Sequence, residues 1–78
     1  MNYEQIIDEI LFFAIQQNEK ENNGNYIVNI NSLIRHFSNK FPDLDPRPIQ
    51  DMINEIDARG WLIQRNSLTL VFDPATFE

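Results

Sequence analysis

Arg47, Gln50 and Asn54 are spaced three and four residues apart, so on an α-helix they share one side. Their side chains suit the edges of DNA bases. An arginine can donate twice to guanine O6 and N7, and the amides of Gln and Asn can pair with adenine N6 and N7. Asp51, Glu55 and Asp57 accompany them along the same stretch. Carboxylates can accept from cytosine N4, but phosphates repel them. The segment therefore supports two chemistries. One is base reading by Arg47, Gln50 and Asn54. The other is protein docking on the acidic face of Asp51, Glu55 and Asp57.

Phosphate contacts need cations, and the chain has six Lys and Arg against twelve Asp and Glu, a net charge of −6. No global basic footprint exists. The densest local one is Arg35, His36 and Lys40, from which Arg35 and Lys40 are candidate phosphate contacts. Arg65 is a third, within the turn Arg65-Asn66-Ser67. Phe12 and Ile15 break the polar side of an amphipathic stretch and are candidate interface residues. Trp61 reads as a packing residue.

Catalytic chemistry finds little to work with. One His and no Cys exclude most nucleophile–base and zinc arrangements. Asp51 and Glu55 share a helix edge with no third ligand beside them, so no metal site is expected. Gly24 and Gly60 lie too far apart to form a phosphate loop, and no cofactor is expected. The sequence predicts a binding protein and no enzyme.

Seventy-eight residues suit one domain, with a core over about 3–72 and a tail at 73–78. The absence of cysteine leaves no disulfide framework. The start Met1-Asn2-Tyr3-Glu4-Gln5 lacks the basic region of a signal peptide. The longest apolar run, Ile10 to Ile15, is far short of the ~20 residues that span a bilayer. A cytoplasmic protein with no membrane association is expected.

Apolar periodicity supplies the elements that must hold these side chains. A first helix is expected from Asn2 to Gln17, with Tyr3, Ile6, Ile7, Ile10, Leu11, Phe13 and Ala14 inward. Gln16 to Asn25 is polar and reads as a loop. Tyr26-Ile27-Val28 reads as a short strand. Asn29 can cap a second helix running to Lys40, stapled by Val28 and Leu33, with Arg35, His36, Ser38 and Asn39 outward. After the turn at Pro42, Asp45 and Pro46 are start signals for a third helix, with Leu44 and Ile49 as staple. Ile49, Met52, Ile53 and Ile56 face inward, and Gly60 ends the helix. Trp61–Arg65 and Leu68–Phe72 form a hairpin, with Leu68, Leu70 and Phe72 on one face. Asp73-Pro74 closes the sheet.

The order is helix, strand, helix, helix, strand, strand, an α+β winged helix-turn-helix with a small antiparallel sheet. The run Ile49-x-x-Met52-Ile53-x-x-Ile56-x-x-x-Gly60-Trp61-Leu62-Ile63 is similar to the third-helix-to-wing pattern of MarR-like and GntR-like regulators. The likeness to the winged-helix superfamily covers about residues 3–72. It implies a transcriptional regulator whose third helix enters the major groove, with Arg65 at the wing. It further implies a homodimer, joined here through helix one at Phe12 and Ile15, reading two half-sites. The acid-rich third helix leaves a second expectation open: a winged-helix module that binds a protein and not DNA.

Overall fold

The computed structural model describes residues 2–21 and 26–77. It is α+β: α1 (Tyr3–Glu21), β1 (Ile27–Asn29), α2 (Ile30–Lys40), α3 (Arg47–Ala58), β2 (Leu62–Arg65) and β3 (Thr69–Phe72). A 3₁₀ turn, η1 (Pro74–Phe77), follows. This element order matches a winged-helix-like arrangement. The sheet is antiparallel with β3 central, in the order β1-β3-β2.

One apolar cluster joins the elements. Ile6, Ile7, Ile10, Phe13 and Ala14 of α1 meet Leu33 and Phe37 of α2, the four expected residues of α3, and Val28, Leu70 and Phe72 of the sheet. Val28 and Leu33 flank the Asn29 cap of α2 as expected and are fully buried; Leu44 and Ile49 join the same cluster, but with Pro46 as the N-cap of α3 they do not occupy the expected staple positions. Among the described residues no helix is long and apolar enough to cross a membrane.

Caps fix the ends of the helices. Asn2 and Gln5 exchange side-chain to backbone hydrogen bonds, both 2.9 Å, at the start of α1. Asn29 Oδ1 accepts from the Ser32 N–H at 3.0 Å. Asp45 Oδ1 accepts from the Arg47 N–H at 2.9 Å, although regular α3 geometry starts one residue after Pro46. At the far end of α3, the Gly60 N–H donates to Asp57 O and the Trp61 N–H to Ile56 O. That pair of bonds is a Schellman motif, and it requires the left-handed Gly60, at φ 78.

Several expectations need correction. Helix one continues to Glu21, so residues 16–21 are helical and not loop; polar residues continue a helix where no breaker intervenes. The rest of the expected loop, residues 22–25, lies outside the described residues. Tyr3 is exposed, because the first turn of α1 overhangs the core. Leu68 is exposed too: β3 starts at Thr69, and the Leu68 N–H turns toward Asn66 Oδ1. Trp61 likewise precedes β2. The tail is not plain coil. Asp73 Oδ1 caps the Ala75 N–H at 3.0 Å, and Phe77 stacks on Tyr26 with ring centroids 4.3 Å apart. Ile63 bulges out of the β2–β3 ladder, which leaves it exposed.

Candidate functional site

α3 presents Arg47, Gln50, Asp51 and Asn54 to solvent, because Ile49, Met52, Ile53 and Ile56 turn the other side inward. Arg65 sits opposite Leu70 in the ladder and reaches back to this helix. Its guanidinium donates to Asp57 Oδ2 at 3.1 Å and to Asn54 Oδ1. Gln50, Arg65, Asn66, Ser67 and Ile30 line one cleft. The hairpin tip is braced by Asn66 Oδ1, which accepts from the Leu68 and Thr69 N–H groups, both at 2.8 Å. Arg65 thus meets Gln50 at the cleft and Asn54 through a hydrogen bond, a grouping the sequence did not point to, and it is held by Asp57 and Asn54.

Arg47 stands apart at the helix start. Its Nε donates to Asp45 Oδ2 at 2.9 Å. The Arg47 side-chain and backbone hydrogen bonds hold the Asp45 carboxyl down to about 2, and the same pairing raises the arginine. Asp45 therefore stays ionised against Arg47 across the physiological range. Of the expected acidic docking face, Glu55 accepts from Arg59 at 3.2 Å and Asp57 from Arg65. Asp51 is exposed and makes no ion pair among the described residues.

The expected basic patch on α2 divides. Arg35 is exposed and makes no ion pair among the described residues. His36 was expected to face out, but it is partly buried beneath α1, 4.7 Å between ring centroids from Phe13. His36 Nε2 lies 2.7 Å from Glu9 Oε1, and Lys40 Nζ donates to the same oxygen at 2.9 Å. Burial raises the Glu9 carboxyl, but the hydrogen bonds from His36 and Lys40 outweigh it and hold the group below its ordinary value. A lowered native pKa adds stability above the ordinary carboxyl range, and that stability disappears as pH falls through the native value. Glu9→Gln should therefore lose about 1–2 kcal/mol at pH 7. Urea midpoints should draw together with those of the unaltered protein as pH falls below the ordinary carboxyl range. A gap that persists unchanged at acid pH contradicts this account.

Phe12 is 53% exposed. Phe77 does not fold over it, since that ring packs on Tyr26 and Phe72. Ile15 is half-buried. Phe12 lines an open hollow with Gln5, Asp8, Glu9 and Phe41, and Phe41 also borders an adjoining hollow with Lys40, Pro42, Asp43 and Leu44. Sequence reasoning missed this second wall, because a turn after a helix shows no periodicity. It also missed Arg59, which bridges Glu4 and Glu55 and lies over the Trp61 ring, 5.0 Å from its centroid. Trp61 itself packs against the core, as expected.

No protein-family model, curated protein or solved structure matches the chain significantly.

Proposed function

We propose that this domain is a protein-interaction module built on a winged-helix-like frame. One observation carries the reading. Lys40, Arg47 and Arg65, three of the cations suited to DNA contact, each already hold a carboxylate of the same chain. Phosphates would have to displace those carboxylates before any counterion-release gain accrued. Around α3 and the hairpin, Asp45, Asp51, Glu55 and Asp57 face Arg47, Arg59 and Arg65. The balance is acidic, and it opposes a polyanion.

A second reading rests on Arg65, which lines one cleft with Gln50 and donates to Asn54. It is a dimeric DNA-binding regulator in which Arg47, Gln50 and Asn54 read bases and Arg35, Lys40 and Arg65 hold phosphates. Selection from a random duplex pool at about 50 mM salt, where screening is weak, separates the two readings. The module should enrich no sequence and retard no duplex at ~100 µM protein, a concentration that reveals ordinary non-specific binding. Enrichment of a sequence that Arg47→Ala relaxes, at a cost of about 1–3 kcal/mol, would establish the DNA reading in its place.

A further inference from the structure

The two hollows that share Phe41 form an open surface beside Phe12, with Lys40 Nζ 5.5 Å from the Phe41 ring centroid. Gln5, Asp8, Glu9 and Phe12 run along one side of α1, at helical spacing. Phe41 closes the hollow from the end of α2, and the turn through Pro42, Asp43 and Leu44 extends it. Phe12, Phe41, Pro42 and Leu44 supply the apolar lining, and most of the charged lining is acidic. Asp8, Glu9 and Asp43 stand against Lys40 alone among the charged residues lining the two hollows. Lys40 is already tied to Glu9, whereas Asp8 and Asp43 make no ion pair among the described residues.

The chemistry of this lining decides among possible occupants. A small molecule would find an open hollow with no buried polar side chain to orient it. A nucleic acid would meet carboxylates. A second copy, joined about a two-fold axis, would bring two acidic patches together, with a charge of −6 on each chain. A cationic amphipathic helix meets none of these objections. Its apolar stripe would cover Phe12, Phe41 and Leu44, and its flanking Lys or Arg would reach Asp8 and Asp43.

We infer that the Phe12–Phe41 groove docks a lysine- or arginine-flanked amphipathic helix of a partner protein. The inference rests on the interaction-module reading, to which it adds a site and a partner chemistry. Phe12 is the aromatic anchor, and Asp8 and Asp43 select charge.

The test uses the full 78-residue chain and two synthetic peptides: a Leu/Phe-faced helix flanked by Lys, and the same helix with Glu for Lys. Titration is followed by amide chemical shifts. The lysine peptide should move the signals of Phe12, Phe41 and Leu44, and the glutamate peptide should not. Phe12→Ser should weaken binding about tenfold or more, as loss of an aromatic anchor does. The pair Asp8→Lys and Asp43→Lys should do the same, whereas Asp51→Lys, on α3, should change affinity by less than about twofold. Both sites are exposed, so the fold should survive.

The proposal is overturned if the lysine peptide moves no signal at millimolar concentration. It also fails if Asp51→Lys costs as much as the groove variants, which would mean unspecific charge attraction or docking on the acidic side of α3. Shifts confined to Ile27, Ile63 and Val71 on the sheet would discard the groove and keep the interaction-module reading. Retardation of duplex DNA would discard that reading itself. Sedimentation should give a monomer at high micromolar concentration. A dimer abolished by Phe12→Asp would make the occupant a second copy.

Discussion

Phe72→Ala should cost about 3–5 kcal/mol, the range for a fully buried Phe. A domain of this length is stable by about 4–12 kcal/mol in total, so the variant should sit near the edge of folding. Phe72 has no exposed surface and lies in the central strand, opposite Leu62. Its backbone N–H donates to Tyr26 O, and its ring centroid is 5.7 Å from that of Phe77. Truncation would open a cavity where the sheet, the tail and the helices meet. Urea unfolding should show the lower midpoint, with a slope unchanged as long as the transition stays two-state. Phe12→Ala is the matched control: the same deletion at an exposed site should fall within about 0.5 kcal/mol of the unaltered protein. A loss below about 1 kcal/mol for Phe72→Ala would mean that the sheet does not close the core as described.

Gly60→Val should be the most damaging change outside the core, at about 2 kcal/mol. The left-handed conformation costs an L-residue roughly 1–2 kcal/mol, and β-branching adds to it. The cause is backbone alone, because a Cβ placed there meets nothing within 4 Å. Gly60→Asn should therefore recover much of the loss, since Asn tolerates this region. If the Asn and Val variants unfold at the same urea concentration, the conformational explanation fails. The position also sets the direction of the chain from α3 into the hairpin, so the Val variant should disturb the Arg65–Asp57 pair beyond it.

The elements legible in the sequence were those with local signals. Asn29 and Asp45 bond to backbone groups two or three residues ahead, and Gly60 bonds three residues back. Each is recognisable from neighbouring residues. Helix one runs past its expected end at Gln17 because Asn18 and Glu19 are polar without breaking a helix. The tail escaped notice because its order comes from Phe77 meeting Tyr26, far off in sequence. The candidate site divides the same way. The exposed side of α3 followed from periodicity, but its charge state did not. Arg65 finds Asp57 across a turn, Lys40 finds Glu9 across two helices, and Arg59 finds Glu4 at the other end of the chain. Such pairings depend on tertiary proximity, which local sequence signals do not carry.

The central position of β3 has a consequence for synthesis. Ile27 pairs with Val71, and Val28 with Leu70, so β1 has no strand to join until nearly the whole domain has been made. At about 5–20 residues per second, the ribosome leaves Tyr26-Ile27-Val28 unpaired for roughly 2–9 seconds. Strand pairing across that span is slow compared with forming the capped helices. A nascent chain halted before Thr69 should therefore hold helices and a bare apolar strand. Protease should cleave it near Ile27 and spare the same bond in the finished protein.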